Sequence, residues 1–240
     1  MIPWLPAEPI FPPLESALAE PDGPNGLLAA GGDLSPERLL TAYAHGIFPW
    51  FSKGDPILWW SPDPRMVLFP EKLLIRSSFA KVLRNRPYEI RFDTAFAEVI
   101  SGCAAPRDGQ NGTWIVSEIQ EAYLRLHKLG YAHSVETWID GELAGGLYGI
   151  ALGQAFFGES MFSHHKDASK IALAHLCVLL QKKGFGIIDC QMETSHLASL
   201  GARPIPRSEF AARLETLVPQ AQDLGPWSAE SVNNYYRARG

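Results

Sequence analysis

The stretch from His133 to Met192 constrains the fold more than any other part of the chain. His133–Ile139 ends at Asp140-Gly141, a dipeptide suited to a tight hairpin turn, and Glu142–Leu152 follows. Gly153-Gln154 turns that segment into Ala155–Met161, so three strands in a meander are expected. Asp167 stands where a helix cap belongs, residues 168–183 read as a helix, and Gly184 ends it. Gly186–Met192 is then a short apolar run with the character of a buried strand. Several strands, one helix and a further strand make an α+β domain with a mixed sheet flanked by helices.

The chain upstream is different in kind. Residues 1–24 hold seven of the 19 prolines, which favours an irregular, packed arm over long helices or central strands. Ser35-Pro36 supplies an N-cap and a first-turn proline for a helix over 36–45, stopped by Gly46. The aromatic and proline-rich run that ends at Arg65 reads as a seam between a small N-terminal domain, 1–64, and a main domain, 65–240. Within the main domain an amphipathic helix is expected over 75–85 and a strand at Tyr88–Phe92. Asp93 is a candidate cap for a helix to Ile100, and 103–113 reads as a polar loop ending at Trp114. Ser117 and Gln120 suit a capping box for a helix to Lys128.

Composition excludes several classes. At 46% hydrophobic and 20% charged, the chain has a soluble globular profile. A net charge of -5 is wrong for a general nucleic-acid coat, so any RNA contact must be a local patch. One such patch exists. Residues 71–86 carry Lys72, Arg76, Lys81, Arg84 and Arg86 against Glu71, a local net of +4 (five minus one). A solvated helix face is the commoner explanation, and an RNA backbone is the alternative. Three cysteines with no C-x-x-C spacing argue against a disulfide framework or zinc site and fit a reducing cytoplasm. The first residues lack a signal peptide's basic and apolar regions, and no run of about 18 apolar residues could span a membrane. His164-His165 has no third ligand at a useful spacing, so no metal is expected. No P-loop and no G-x-S-x-G is present.

Chemistry-bearing residues stand out where polarity interrupts apolar strands. Asp189 and Gln191 share one face of strand 186–192 and need partners if buried. They are either a satisfied structural pair or a carboxylate orienting an amide beside a reacting group. Glu159 interrupts strand 155–161, where Gly158 could host a bulge that alters the alternation. It is either a core carboxylate with backbone partners or a site residue. Trp59, Trp60 and Trp138 read as core, whereas Trp50 and Trp114 sit in loops and suit stacking on a base.

A set of segments goes further than any single residue. Asn25-Gly-Leu-Leu-Ala-Ala-Gly-Gly-Asp-Leu-Ser35, Tyr43-Ala-His-Gly-Ile-Phe-Pro-Trp-Phe51, Leu58-Trp-Trp-Ser-Pro-Asp-Pro-Arg65, Gly112-Thr-Trp-Ile115, Gly145-Gly-Leu-Tyr-Gly149, Phe157-Gly-Glu-Ser-Met-Phe-Ser163 and Ile188-Asp-Cys-Gln191 closely resemble the bacterial leucyl/phenylalanyl-tRNA–protein transferases. The likeness runs from about residue 10 to about 215 and is weak over the last 25 residues. It implies a small N-terminal domain followed by a GNAT-like acyltransferase domain. It implies transfer of Leu, Phe and less readily Met from aminoacyl-tRNA to proteins beginning with Arg or Lys, which marks them for degradation by the N-end rule. No cofactor, metal or membrane enters that reaction. Where an acetyl-CoA enzyme would carry a glycine-rich pyrophosphate turn, this chain reads Ser163-His-His-Lys-Asp-Ala-Ser169, which disfavours acetyl-CoA.

The resemblance also implies residue roles. Asp189 hydrogen-bonds the Gln191 amide, and Gln191 orients the attacking amine. Leu147, Phe156, Leu173, Leu176, Leu180 and Ile188 form the aminoacyl pocket with Glu159 at its edge, although the helical spacing of the three α-helical leucines equally suits core. Trp50 and Trp114 hold the terminal adenosine. Lys81 and Arg84 hold the acceptor stem, with Arg76 and Arg86 beside such positions. On this basis Asp189→Ala is expected to cripple transfer and leave the fold intact. Two rival readings remain at this point. One is a GNAT-like small-molecule or peptidoglycan-type aminoacyltransferase, distinguished by its acceptor. The other is a non-catalytic RNA-binding module, which would release no amino acid.

Overall fold

The computed structural model describes residues 2–106 and 114–238. Two sheets organise the chain. The first uses β1 (Trp4–Leu5), β2 (Leu27–Gly31), β3 (Phe48–Pro49) and β4 (Leu58–Trp60) in the order β1-β2-β4-β3, with helix α1 (Pro36–Ala44) between β2 and β3. Ser35 caps α1 by accepting from the Arg38 N–H at 3.3 Å, and Pro36 occupies its first turn, as the sequence suggests.

The second sheet begins with β5 (Arg65–Leu68). Helix α2 (Ser77–Asn85), β6 (Glu89–Phe92), α3 (Phe96–Ala104) and α4 (Ser117–Lys128) follow. Then come the meander β7 (Ala132–Ile139), β8 (Glu142–Leu152) and β9 (Ala155–Ser163), and helix α5 (Ala168–Lys182). Strand β10 (Ile187–Gln191), α6 (Ser195–Ser199), β11 (Arg203–Ile205) and α7 (Arg207–Leu217) complete the order. The seven strands lie as β11-β5-β10-β9-β8-β7-β6. Strand β10 runs parallel to β9 and antiparallel to β5, because α5 carries the chain across the sheet between β9 and β10. The expected α+β class with a mixed sheet flanked by helices is what the chain forms.

Strands β5, β7 and β8 are buried at nearly every residue, so the middle of the second sheet is covered on both faces. Neighbouring residues alternate between two cores. Phe157 and Ile187 join Tyr43, Trp59, Phe96, Val99 and Tyr123 on the side of α1, α3, α4 and the first sheet. Phe156 and Ile188 join Leu147, the apolar face of α5, Leu83 and Trp227 on the other. One core therefore runs without interruption from the first sheet into the second.

Three expected helix caps do not form the bonds that the local sequence suggests. Asp93 does not cap α3. It takes φ +58°, and its carboxylate accepts from the N–H groups of Ser134 and Trp227 at 2.9 and 2.7 Å and lies 2.8 Å from His133 Nδ1. Glu136 of β7 takes the capping role instead, accepting from the Thr94 and Ala95 N–H groups, each at 2.9 Å. Helix α4 has Val116 at its N-cap, so Ser117 and Gln120 fall out of capping-box register, and Gln120 Nε2 donates to the Ile115 carbonyl at 3.3 Å. Asp167 occupies the N-cap of α5 but at φ +66° makes no capping bond, and its carboxylate pairs with Lys170 at 3.1 Å. The expected loop over 103–113 is partly helical, since α3 runs through Cys103 to Ala104, and 107–113 lies outside the described residues.

The β8–β9 register carries the feature that shapes the site. Tyr148 pairs with Ser160 and Gly149 with Gly158, so Glu159 is the extra residue of a bulge. Gly149 is required opposite it: an added Cβ would meet the Phe157 carbonyl at 2.3 Å and the Phe156 ring at 2.6 Å. Gly149→Ala is expected to cost about 1–3 kcal/mol of stability through overpacking, read as a lower urea midpoint at unchanged slope. A midpoint equal to that of the parent would show that the strands part freely there.

Candidate active site

The bulge turns Glu159 into a polar cluster that spans both parts of the chain. Its Oε1 accepts from the Tyr43 hydroxyl of α1 at 2.8 Å, and its Oε2 from the Tyr123 hydroxyl of α4 at 3.0 Å. The two tyrosine hydroxyls also touch each other. Gln191 Nε2 donates to Glu159 Oε1 at 3.1 Å. Burial raises the Glu159 carboxyl to about 7, the tyrosine hydroxyls pull it down in part, and the charge on Asp189 adds to the rise. Proton counting gives the same direction. The contacts Tyr43–Glu159, Tyr123–Glu159 and Tyr43–Tyr123 need three protons, and two hydroxyls supply two. A protonated Glu159 supplies the third.

Asp189 is fully buried on β10 and paired with the equally buried Arg65 at the start of β5. Arg65 Nε and Nη2 reach the two carboxylate oxygens at 2.8 and 2.7 Å, a bidentate arrangement. The guanidinium lies between the rings of Phe48 and Phe210, 4.8 Å from each centroid. The pair shapes the backbone that follows. Asp189 Oδ1 also accepts from the Gln191 N–H at 2.9 Å, Gln191 takes φ +58°, and the β5–β10 register shifts between Asp189 and Gln191. The expected bond from Asp189 to the Gln191 side-chain amide is therefore corrected: Asp189 holds the Gln191 backbone, and Glu159 holds its side chain.

Part of this cluster borders a cavity of about 680 Å³. Leu147, Phe156, Leu173, Leu176 and Ile188 form apolar wall, and Glu159, Asp189 and Gln191 line it as well. Leu180 is corrected to core: it is fully buried one turn beyond Leu176 and does not line the cavity among the described residues. Trp50 and Trp114 also line the cavity, and Trp50 packs edge-on against Trp60 with ring centroids 5.4 Å apart. Trp59 is fully buried as expected, whereas Trp60 and Trp138 are only half-buried. Cys190 is no thiolate nucleophile, since burial pushes its thiol far up and Asp189 pushes it further. Arg76, Lys81 and Arg84 are exposed on or beside α2, and Arg86 is half-buried at its end. None of the four lines the cavity among the described residues.

Sequence reasoning passed over Arg65, Tyr43, Tyr123 and His196. A signal for Arg65 was present: a lone cation directly before the apolar run Met66–Phe69 is a partner for a buried Asp on a neighbouring strand. Tyr43 and Tyr123 lie on the apolar faces of α1 and α4, where spacing alone reads as core.

The chain matches two family models, one described as leucyl/phenylalanyl-tRNA protein transferase over residues 67–215 and one as the N-terminal domain of the same protein over residues 32–63. The leucyl/phenylalanyl-tRNA–protein transferase of Azoarcus sp. (strain BH72) is 61% identical over 98% of this chain and 99% of that one. The protein of the same name from Nitrosomonas europaea is 64% identical over 90% of this chain and 91% of that one. Among solved structures, a GCN5-related N-acetyltransferase from Kribbella flavida is 11% identical, covering 70% of this chain and 60% of that one, with a TM-score of 0.36. The L-PGS structure from Bacillus licheniformis is 10% identical, covering 87% and 64%, with a TM-score of 0.37. The class is that of the transferases that act on aminoacyl groups. Within it, the chain belongs to the leucyl/phenylalanyl-tRNA–protein transferase family.

Proposed function

We propose that this chain moves Leu, Phe and, less readily, Met from aminoacyl-tRNA onto the α-amine of cytoplasmic proteins that begin with Arg or Lys. The observation that carries this reading is a single cavity with an apolar wall, two tryptophans and the Glu159–Gln191 pair around it. The wall takes the amino-acid side chain, and Trp50 and Trp114 take the terminal adenosine. In this reading residues 1–64 supply Tyr43 and Trp50, and residues 65–240 supply the rest.

The donor is an activated ester, so placement can supply about 7–11 kcal/mol of the acceleration. The acceptor α-amine, with an ordinary pKa of about 7.7–8.0, attacks the ester carbonyl. A C–N bond forms, the ester C–O bond breaks, and the terminal ribose hydroxyl leaves. Gln191, held by Asp189 through its backbone and by Glu159 through its side chain, orients the amine. In its ionised form, the fraction that a carboxyl raised to about 7 holds near neutral pH, Glu159 takes the proton that the amine sheds and returns it to the departing ribose oxygen. A carboxylate raised to about 7 suits both steps, whereas an amide is far too weak a base.

Labelled Leu-tRNA presented with peptides differing only in their first residue tests the reading. Label is expected on the peptides starting with Arg and Lys and on no others. Label passing to a small metabolite or lipid precursor instead, or to nothing, would overturn it. Trp50→Ala and Trp114→Ala should each raise KM for charged tRNA by about 5- to 150-fold, the equivalent of about 1–3 kcal/mol of stacking. Steady-state kinetics with KM unmoved in both would remove the tryptophans from the adenosine site.

A further inference from the structure

The loop between β9 and α5 has no part in the chemistry above, and it exposes a lysine and two histidines. His164, His165 and Lys166 are exposed in succession, and Lys170 follows on the first turn of α5. The loop is held in place. The N–H groups of His164 and His165 both donate to the Ala144 carbonyl, at 2.8 and 3.0 Å, and the His164 ring packs edge-on against Phe162.

The loop leads into α5, which lines the cavity, and is bonded to the end of α2. On the cavity side, Lys170 lies near enough to His196 for its charge to help hold the imidazole below the usual range, after burial. His196 lines the cavity, as do Leu173 and Leu176 further along α5. On the other side, Arg86 Nη1 donates to the Lys166 carbonyl at 2.6 Å. Arg86 ends the helix that presents Lys81 and Arg84. From the C-terminal segment, Arg237 Nη2 donates to the carbonyls of Arg86 at 3.4 Å and Tyr88 at 2.9 Å, which adds a further cation beside Arg86. Asp167, paired with Lys170, is the one carboxylate in the loop.

We infer that the β9–α5 loop is a phosphate track, in which Lys166 and Lys170 carry the RNA backbone from the cavity mouth to the basic face of α2. The inference rests on the proposed tRNA-dependent reading. The placement supports it: Leu173 of α5 lines the cavity, Lys170 lies one turn before it on the same helix, Lys166 precedes α5, and the Lys166 carbonyl accepts from Arg86 at the end of the helix that carries Arg84 and Lys81. A strand whose terminal residue occupies the cavity needs cations spaced along its exit, and a chain of net charge -5 must gather them locally. An acidic protein surface is the competing partner. It is disfavoured because the same track leads to the cavity that would hold the nucleotide end.

Lys166→Gln and Lys170→Gln, singly and together, are assayed with two donors: full-length aminoacyl-tRNA and the aminoacyl ester of adenosine. With the full-length donor, the double variant is expected to raise KM by about 10-fold. It should also flatten the slope of log KM against log salt by about 1.4, at about 0.7 for each single-strand phosphate that is no longer neutralised. With the short donor, the double variant is expected to keep pace with the parent, and Lys166→Arg should retain the parental slope. KM and slope unmoved for the full-length donor would overturn the track. So would an equal loss with both donors, which reports a damaged cavity, or a rise in KM for the acceptor peptide alone, which assigns the loop to the protein substrate. A parent that transfers from neither donor would instead refute the functional reading itself.

Discussion

Glu159→Gln is expected to lower kcat for transfer by about 10²- to 10⁴-fold, the range for removal of a general base. The substitution keeps the size of the side chain and an acceptor oxygen for a tyrosine hydroxyl, so the cavity wall should persist. What it removes is the third proton site of the Tyr43–Tyr123–Glu159 cluster. The rate–pH profile should change with it. The parent should show an inflection near 7 from Glu159, besides the one from the acceptor amine at about 8, and the variant should keep only the latter. Stability has a matching signature. Burial raises the folded carboxyl to about 7 from an ordinary 4.5. Its contribution is therefore fully present below 4.5 and is lost as pH rises through 7. Relative to the variant, the parent should lose on the order of 3 kcal/mol across that window, measured by urea unfolding at several pH values. A variant with parental kcat and an unchanged profile would remove Glu159 from the chemistry.

The same cluster shows what the sequence can and cannot convey. The meander, α5 and β10 were legible because hairpin dipeptides, a long apolar run and Gly184 mark them locally. Most of the cavity wall was legible through the family resemblance, since Leu147, Phe156, Leu173, Leu176 and Ile188 do meet. Leu180 did not follow, because one more helical turn along α5 carries it past the cavity into the core. The polar end was less legible, for a physical reason. Bulges at Glu159 and next to Gln191 break the two-residue alternation that sequence reading assumes, and so reassign partners. Tyr43 and Tyr123 reach Glu159 from 116 and 36 residues away, and nothing local to either marks that meeting.

Burial also reverses one expectation. The sequence alone has Asp189→Ala stopping transfer and sparing the fold, but the fully buried Arg65 would then lose both bonds to its partner. Arg65 Nη1 already lacks a hydrogen-bond partner among the described residues. Removing either member of such a pair costs about 3–5 kcal/mol, so Asp189→Ala and Arg65→Met should each lower the urea midpoint sharply. Replacing both with apolar residues, as in Arg65→Met with Asp189→Leu, should recover most of that loss, because no uncompensated charge remains. Transfer should not recover. Without Asp189 Oδ1 to accept from its N–H, Gln191 loses the bond that fixes its left-handed backbone beyond its pairing with Met66, and its side chain should leave Glu159. The double variant therefore separates the two roles of the pair. A stable protein with parental transfer would show that Gln191 needs no such anchor. A stable protein without transfer would assign the pair to positioning, with the chemistry left to the groups that it holds.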